Sequence, residues 1–403
     1  MQSLAPHEEA ALERISQPPM LAQVEAWCAI NSGTSNLRGL ATMAQLLRDA
    51  FATLPGEVKL VQPAAVERIK SDGTSEQVEH GRHLVLTIRP EAPVQLLFTG
   101  HMDTVFAADH SFQDQKWLEE GVLGGPGVAD MKGGISVMLA ALHAYEDARA
   151  NDPVGYQLLI NSDEEVGSPS SAALIAKMAK GKTAALTYEP SALPDGTLAG
   201  ARAGSGNFSI VITGKSAHAG RNPDDGRNAM VAAADLALRL KALHREGLSV
   251  NPAKIDGGGP NNVVPDNAIL RVNFRPQNKE MESLAHKGLE SLIAAIAADH
   301  DVRIHSHGGF GRAPKPITAG AKKLFHLVKD CGHDLGLDIG WKSTGGVCDG
   351  NNIAACGVPV VDTMGVRGGN IHSSDEFLIV DSLAERAKLS ALTIMRIAQK
   401  GDL

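Results

Sequence analysis

The chain has 403 residues, 43% hydrophobic and 21% charged, which suits a globular protein with more than one hydrophobic core and excludes a disordered or fibrous one. A formal net charge of -8, a pI near 6.0 and only 4% aromatic residues exclude the basic face and stacking platforms that a nucleic-acid partner selects. Four cysteines (Cys28, Cys331, Cys348, Cys356) without CxxC pairs suit free thiols in a reducing compartment, and no uncharged apolar run is long enough to span a membrane. The amino-terminal stretch from Met1 to Glu9 lacks the basic and apolar regions of a secretory signal, so a cytoplasmic location is expected.

From residue 84 the pattern alternates strand and helix. Apolar runs predict strands at 84–88 and 94–99, helical spacing of Ile135, Met138, Leu139 and Leu142 predicts a helix over 135–145, and strands follow at 157–160 and 184–187. Pro169 is expected in the first turn of an intervening helix. After Gly204 the rhythm changes to strand 208–213, helix 227–243, strand 263–274, helix 279–298 and strand 302–306, a compact α+β unit closed by Pro314 and Pro316. A helix from Ala319, a strand at 358–362 and an amphipathic helix at 382–399 return to the first style. The expected fold is therefore α/β, a mixed sheet flanked by helices over 1–203 and 315–403, with a smaller α+β unit inserted at 204–314.

Five short stretches carry residues suited to chemistry: Gly100-His101-Met102-Asp103, Ala129-Asp130-Met131-Lys132-Gly133-Gly134, Asp163-Glu164-Glu165, Tyr188-Glu189-Pro190 and Ile371-His372-Ser373. Each lies at a strand end or a glycine-rich turn. In an open α/β sheet the ligand crevice lies outside the carboxyl ends of strands, which places His101, Glu164, Glu165 and Glu189 around one crevice. Taken singly, each has an ordinary alternative: a solvated loop histidine at His101 or His372, a turn aspartate at Asp130, a turn at Glu189-Pro190. Three successive acids behind an apolar strand repel one another unless a cation neutralises them. Two imidazoles and three carboxylates can divide between two zinc ions, leaving one of the adjacent acids free to act as a base. Three carboxylates and one hydroxide neutralise two zinc ions, whereas a fourth carboxylate would make the site anionic. Asp103, two residues past His101, is positioned to accept the imidazole's other N–H and fix its tautomer.

In this order the motifs resemble the dizinc amidohydrolase and metallopeptidase family of glutamate carboxypeptidase, aminoacylase, acetylornithine deacetylase, succinyl-diaminopimelate desuccinylase and peptidase T, over nearly the whole chain. The resemblance implies that His101, Asp130 and Glu189 hold one zinc and Asp130, Glu165 and His372 the other, with Glu164 as general base; Co²⁺ or Mn²⁺ would also suit these donors. It implies a homodimer formed through the inserted unit as a lid. The heptad Gly214-Lys215-Ser216-Ala217-His218-Ala219-Gly220 resembles the lid segment whose histidine steadies the oxyanion in the partner's site. Asn262 and Arg275 resemble the lid pair that holds a substrate carboxylate, and Arg312 and Gly346 resemble further substrate contacts. The carboxyl-terminal part is most similar to the glutamate carboxypeptidase branch, but Cys348 stands where that branch's Gly-Gly-Thr-Asp pattern has threonine.

The expected activity is hydrolysis of a peptide or acyl amide bond beside a free carboxylate, on a small peptide or N-acyl amino acid. An N-acyl amino acid deacylase would use the same machinery. An aminopeptidase would need an acid for the substrate's amine, and none is found beyond the metal ligands. A metal-free binding protein on the same fold would have a broken ligand set. Neither dinucleotide nor P-loop glycine patterns occur in context, which sets nucleotide binding aside.

Overall fold

The computed structural model describes residues 4–148, 154–401 and 403; Met1 to Ser3 of the amino-terminal stretch read above lie outside them. Ten strands organise the two main sheets: β1 (Glu57–Val61), β2 (His83–Ile88), β3 (Val94–His101), β4 (Val154–Asn161), β5 (Ala184–Thr187), β6 (Ser205–Thr213), β7 (Leu248–Gly257), β8 (Asn267–Pro276), β9 (Arg303–Arg312) and β10 (Val360–Val361). The first sheet runs β1-β2-β4-β3-β5-β10. Its last four strands are parallel, with His101 opposite Asn161 and Thr99 opposite Thr187, so their carboxyl ends emerge on one edge.

Both faces of this sheet's central strands β3, β4 and β5 are buried, which explains why they are apolar without alternation. Leu96, Phe98, Leu158 and Ile160 share a core with the helices Gly134–Ala148 and Ser382–Lys400, while Leu97, Leu159 and Ala185 pack against Ala172–Ala179 and Asp349–Ala355. The Ala172–Ala179 helix opens at Ala172 rather than at Pro169, because residues 164–166 first form a short 3₁₀ turn ending at Gly167. Three amino-terminal helices that the apolar pattern did not announce, Pro6–Glu13, Gln17–Cys28 and Leu37–Phe51, cover the first core; Asn36 caps the third through its side chain and Gly39 N–H.

The second sheet, ordered β7-β8-β6-β9, is antiparallel and alternates. Phe208, Ile210, Ile212, Leu270, Val272 and Phe274 face the helices Ala229–Lys241 and Lys279–Asp299 in a separate core. The expected strand at 263–274 is broken at Pro265, and β7 was not expected at all. Pro252 disguises it: a proline is tolerated there because β7 is an edge strand with a register shift at that residue. β9 runs six residues past the expected 302–306, as far as Arg312.

The sheet ends are locked by close backbone approach. Cβ atoms added at Gly134 and Gly365 would fall 2.0 Å and 2.2 Å from the carbonyl oxygen of Tyr188, which directly precedes Glu189. Alanine at Gly134 must therefore push the segment carrying Glu189 away, despite alanine's better helix propensity. Gly134→Ala is expected to cost about 1–3 kcal/mol, read as a lowered thermal midpoint; an unchanged midpoint would show that this approach does not constrain the fold.

Candidate metal centre

Each parallel strand delivers its polar group immediately beyond its carboxyl end. His101 closes β3, Asp163 to Glu165 follow β4, and Glu189 follows β5. The remaining two donors come from loops tied together by a small antiparallel sheet of Lys116–Glu119, Val122–Gly124, Gly368–Gly369 and Phe377–Ile379. Asp130 lies in a turn entered through Gly127 at φ +76°, and the Asp130–Met131 peptide is cis. His372 adopts φ +62°, a left-handed conformation uncommon for histidine, which turns its ring back over the site.

The two oxygens of Asp130 face different imidazoles. Oδ1 lies 3.2 Å from His101 Nε2 and Oδ2 lies 3.1 Å from His372 Nε2. His372 Nε2 also lies 3.1 Å from Glu165 Oε2, and His101 Nε2 lies 3.7 Å from Glu189 Oε2. His101, Asp130 and Glu165 form one cluster of converging donor atoms, and His101, Glu164 and Glu189 form another. All but His372 have buried side chains; His372 sits on the rim with its side chain 54% exposed.

Burial and like charge dominate the electrostatics. Burial, reinforced by Asp130, pushes Glu165 up to about 8. Burial also raises Glu189, and raises Glu164 to about 7 although Arg312 pulls the other way. Burial opposes the ionised forms of Asp130 and His101, yet His101 and His372 hold Asp130 below the usual carboxylate range, while Glu189, Asp103 and Asp130 hold His101 well above its ordinary value. Hydrogen bonds to Asp130 and Glu165 push His372 up to about 11. A set of oxygen and imidazole donors that polarise one another this way, with no lysine among them, fits a divalent metal.

Two further carboxylates hold backbone rather than donors. His101 Nδ1 meets the main-chain oxygen of Asp103 at 3.0 Å and its carboxylate only at 3.5 Å, so the carbonyl is the nearer partner for the ring, not the side chain expected from the sequence. The Asp103 carboxylate instead accepts the Glu164 and Glu165 N–H groups, each at 3.2 Å, and the Thr34 hydroxyl at 2.7 Å. Glu376, not singled out in the sequence, accepts the N–H groups of Gly127, Ala129 and Asp130 at 3.0–3.1 Å. Its position four residues after His372 was the available signal.

Glu164 is not free. Arg312, from the end of β9, donates Nη2–H to Glu164 Oε1 at 2.6 Å and reaches the Glu164 carbonyl, Ser168 Oγ and Asp349 Oδ1. Asp349, also missed, is buried and receives Asn161 Nδ2–H at 2.7 Å. Gly346 lines the cavities on both sides of the donors, and Arg275 lines one of them with Arg312. His218 and Asn262 line neither: both are exposed, His218 on a short antiparallel pair, Ala217–His218 against Val263–Val264, and Asn262 in the turn just before it, and His218 Nδ1 accepts the N–H groups of Gly220 and Arg221.

Comparison with known proteins places the chain among metal-dependent hydrolases. The profile of peptidase family M20/M25/M40 matches residues 97–396, and the chain belongs to that family, whose members hydrolyse peptide or acyl amide bonds. Carboxypeptidase G2 of Pseudomonas sp. (strain RS-16) is 30% identical over 94% of this chain and 89% of its own length. A succinyl-diaminopimelate desuccinylase of Psychrobacter sp. (strain PRwf-1) is 26% identical over 72% of this chain and 76% of its own. The fold is that of a tripeptidase from Staphylococcus aureus, which superimposes with a TM-score of 0.74 at 23% identity over 96% of this chain and 100% of that one.

Glu376→Gln replaces an acceptor with an amide whose N–H₂ must face at least one of three backbone donors. It is expected to cost about 1–3 kcal/mol and to loosen the Asp130 turn, so that bound metal is lost on dialysis. Metal content and thermal midpoint equal to those of the unmodified protein would refute this positioning role.

Proposed function

We propose that the chain is a two-metal hydrolase that cleaves a peptide or acyl amide bond beside a free carboxylate, in the manner of a glutamate carboxypeptidase. The observation that carries this reading is the meeting of two cavities at one donor set, with Arg275 and Arg312 lining one cavity beside Glu164. His101, Asp130 and Glu189 would hold one zinc, and Asp130, Glu165 and His372 the other; the separate imidazoles facing the two Asp130 oxygens support its bridging role. Co²⁺ or Mn²⁺ would suit the same donors. Bound there, the metals supply Lewis-acid polarisation of the scissile carbonyl and acidify water.

Glu164 lies close enough to His101 and Glu189 to be a ligand itself. Charge balance and Arg312 favour a base instead, since a fourth carboxylate would over-neutralise two dications and one hydroxide. Arg312 fixes Oε1, while Oε2 makes no hydrogen bond among the described residues. Held in place by Arg312, Glu164 would take a proton from the attacking water and return it to the leaving amine. Arg275 would pair the substrate's carboxylate in a fork geometry.

We assign residues 204–314 to a lid that joins a second chain, so that His218 and Asn262 complete the partner's site. Their exposure away from the donors supports this, as do Val231 and Leu238, 52% and 74% exposed on the helix Ala229–Lys241. The likeness to carboxypeptidase G2 favours a carboxypeptidase; the likeness to a desuccinylase supports a deacylase of N-acyl amino acids as the second reading. A metal-free binding protein is disfavoured because every donor is present. Unpaired cysteines, three of them buried, support a cytoplasmic setting.

Glu164→Gln is expected to lower kcat by about 100-fold or more while the metal content per chain stays that of the unmodified protein; retained turnover would remove Glu164 from the base role, and lost metal would make it a ligand. For the lid, mixing inactive Glu164→Gln with inactive His218→Ala should recover activity, because each mixed dimer then holds one intact site. No recovery in a demonstrated mixed dimer would exclude the shared site.

A further inference from the structure

Arg312 holds the proposed base with one corner of its guanidinium. Nη2 faces Glu164 Oε1 at 2.6 Å, Ser168 Oγ at 3.0 Å, the Glu164 carbonyl at 3.1 Å and Asp349 Oδ1 at 3.3 Å, and among the described residues it makes every hydrogen bond of this side chain. Two N–H groups therefore serve four acceptors. Nε is buried without a partner, and a buried donor left unpaired is costly. The favoured pairing of a guanidinium with a carboxylate is a fork of two parallel bonds. This chain makes one elsewhere: Arg202, at the wall of the other cavity, donates from Nε and Nη2 to the two oxygens of Asp362 at 2.8 and 3.2 Å. Arg312 forgoes that fork on Glu164, whose Oε2 is left without a hydrogen bond among the described residues.

What stands against the fork is a second buried carboxylate. Asp349 begins the helix Asp349–Ala355 and is 3% exposed. Its Oδ2 accepts Asn161 Nδ2–H at 2.7 Å, and its Oδ1 accepts the Ser168 hydroxyl together with Arg312. Asn161 ends β4 three residues before Glu164, and Ser168 lies four residues after it; both are fully buried, Ser168 at φ +59°. Asp349 is thus fixed to both flanks of the segment that carries Glu164. Arg312 is the one cation in contact with it among the described residues, so a single positive charge is divided between two buried acids.

We propose that Asp349 is a positioning residue that acts through Arg312: by drawing Nη2 to itself it keeps the guanidinium from closing a fork on Glu164, so that Oε2 stays available for the proton of the attacking water. This rests on the reading of Glu164 as the general base. A fork would engage Oε2 in a charged hydrogen bond that must be broken before it receives a proton. The effect falls on proton transfer and not on substrate binding, so it belongs in kcat.

Asp349→Asn removes the competing charge and keeps the shape, and Asn161 Oδ1, buried without a partner, can turn to receive the new amide. A crystal structure of the zinc-loaded variant is expected to show Arg312 on both oxygens of Glu164; a guanidinium still held by Nη2 alone overturns the proposal. With N-acetyl-L-glutamate and glycyl-L-glutamate as probes, kcat should fall by about tenfold, the effect of one charged hydrogen bond, while KM and metal content stay unchanged. In an Arg312→Lys background, where no fork can form, the same substitution should cost less than about twofold. A loss that persists there, or that falls on KM, would mean a structural brace and overturn the role. Should the unmodified protein cleave neither probe, the reading of its reaction fails, and the position of Arg312 in the variant still decides whether Asp349 holds it off Glu164.

Discussion

Four carboxylates, from Asp130, Glu164, Glu165 and Glu189, are buried within reach of two imidazoles, and their repulsion is the constraint around which the structure is arranged. In a medium of low effective dielectric such a cluster is tolerated only where positive charge divides it. The protein supplies part of that charge itself: Arg312 comes from the end of the second sheet to meet Glu164. The rest suits a divalent metal. The parallel strands concentrate the acids, because four carboxyl ends emerge on one edge, and Gly134 and Gly365, close against the Tyr188 carbonyl, keep the loops near enough for the donors to converge.

Around this cluster the remaining buried acids do different work according to what they face. Asp103 and Glu376 accept backbone N–H groups of the segments that carry Glu164, Glu165 and Asp130, and so determine where those carboxylates point. Asp362 faces side chains instead, with Arg202 and Lys315 both upon it. Asp349 couples Arg312 and Ser168 to Asn161 at the end of β4. One class of side chain thereby serves as donor, scaffold and counter-ion within a single cleft.

Much of the first sheet was legible because buried parallel strands are continuous apolar runs with polar residues at their ends, and those ends hold His101, Glu164, Glu165 and Glu189. The helices Lys279–Asp299 and Ser382–Lys400 followed from their apolar spacing. The strand β7 was hidden by Pro252 and polar edge residues, and the first three helices were not resolved from the pattern before residue 84. Among the site residues, Arg202 and Asp362 escaped notice for a plain reason: their ion pair joins positions 160 residues apart, and nothing local marks either. Asp103 was placed at the site, but its proximity to His101 in sequence suggested the ring as the partner of its carboxylate, when two peptide N–H groups farther along the chain claim it.

The bond between Glu376 and the Asp130 amide spans 246 residues. Everything between them, including the whole second sheet, is synthesised before the loop carrying His372 and Glu376 is made. During synthesis the acids at the ends of β3, β4 and β5 therefore wait without their last imidazole and without the carboxylate that shapes the Asp130 turn. Closing so long a loop is entropically expensive, and a metal bridging Asp130 and His372 would act as a reversible cross-link across it. If His372 is a ligand, metal capture would be a late event in the life of the chain, and a nascent protein truncated before Gly365 would lack that donor.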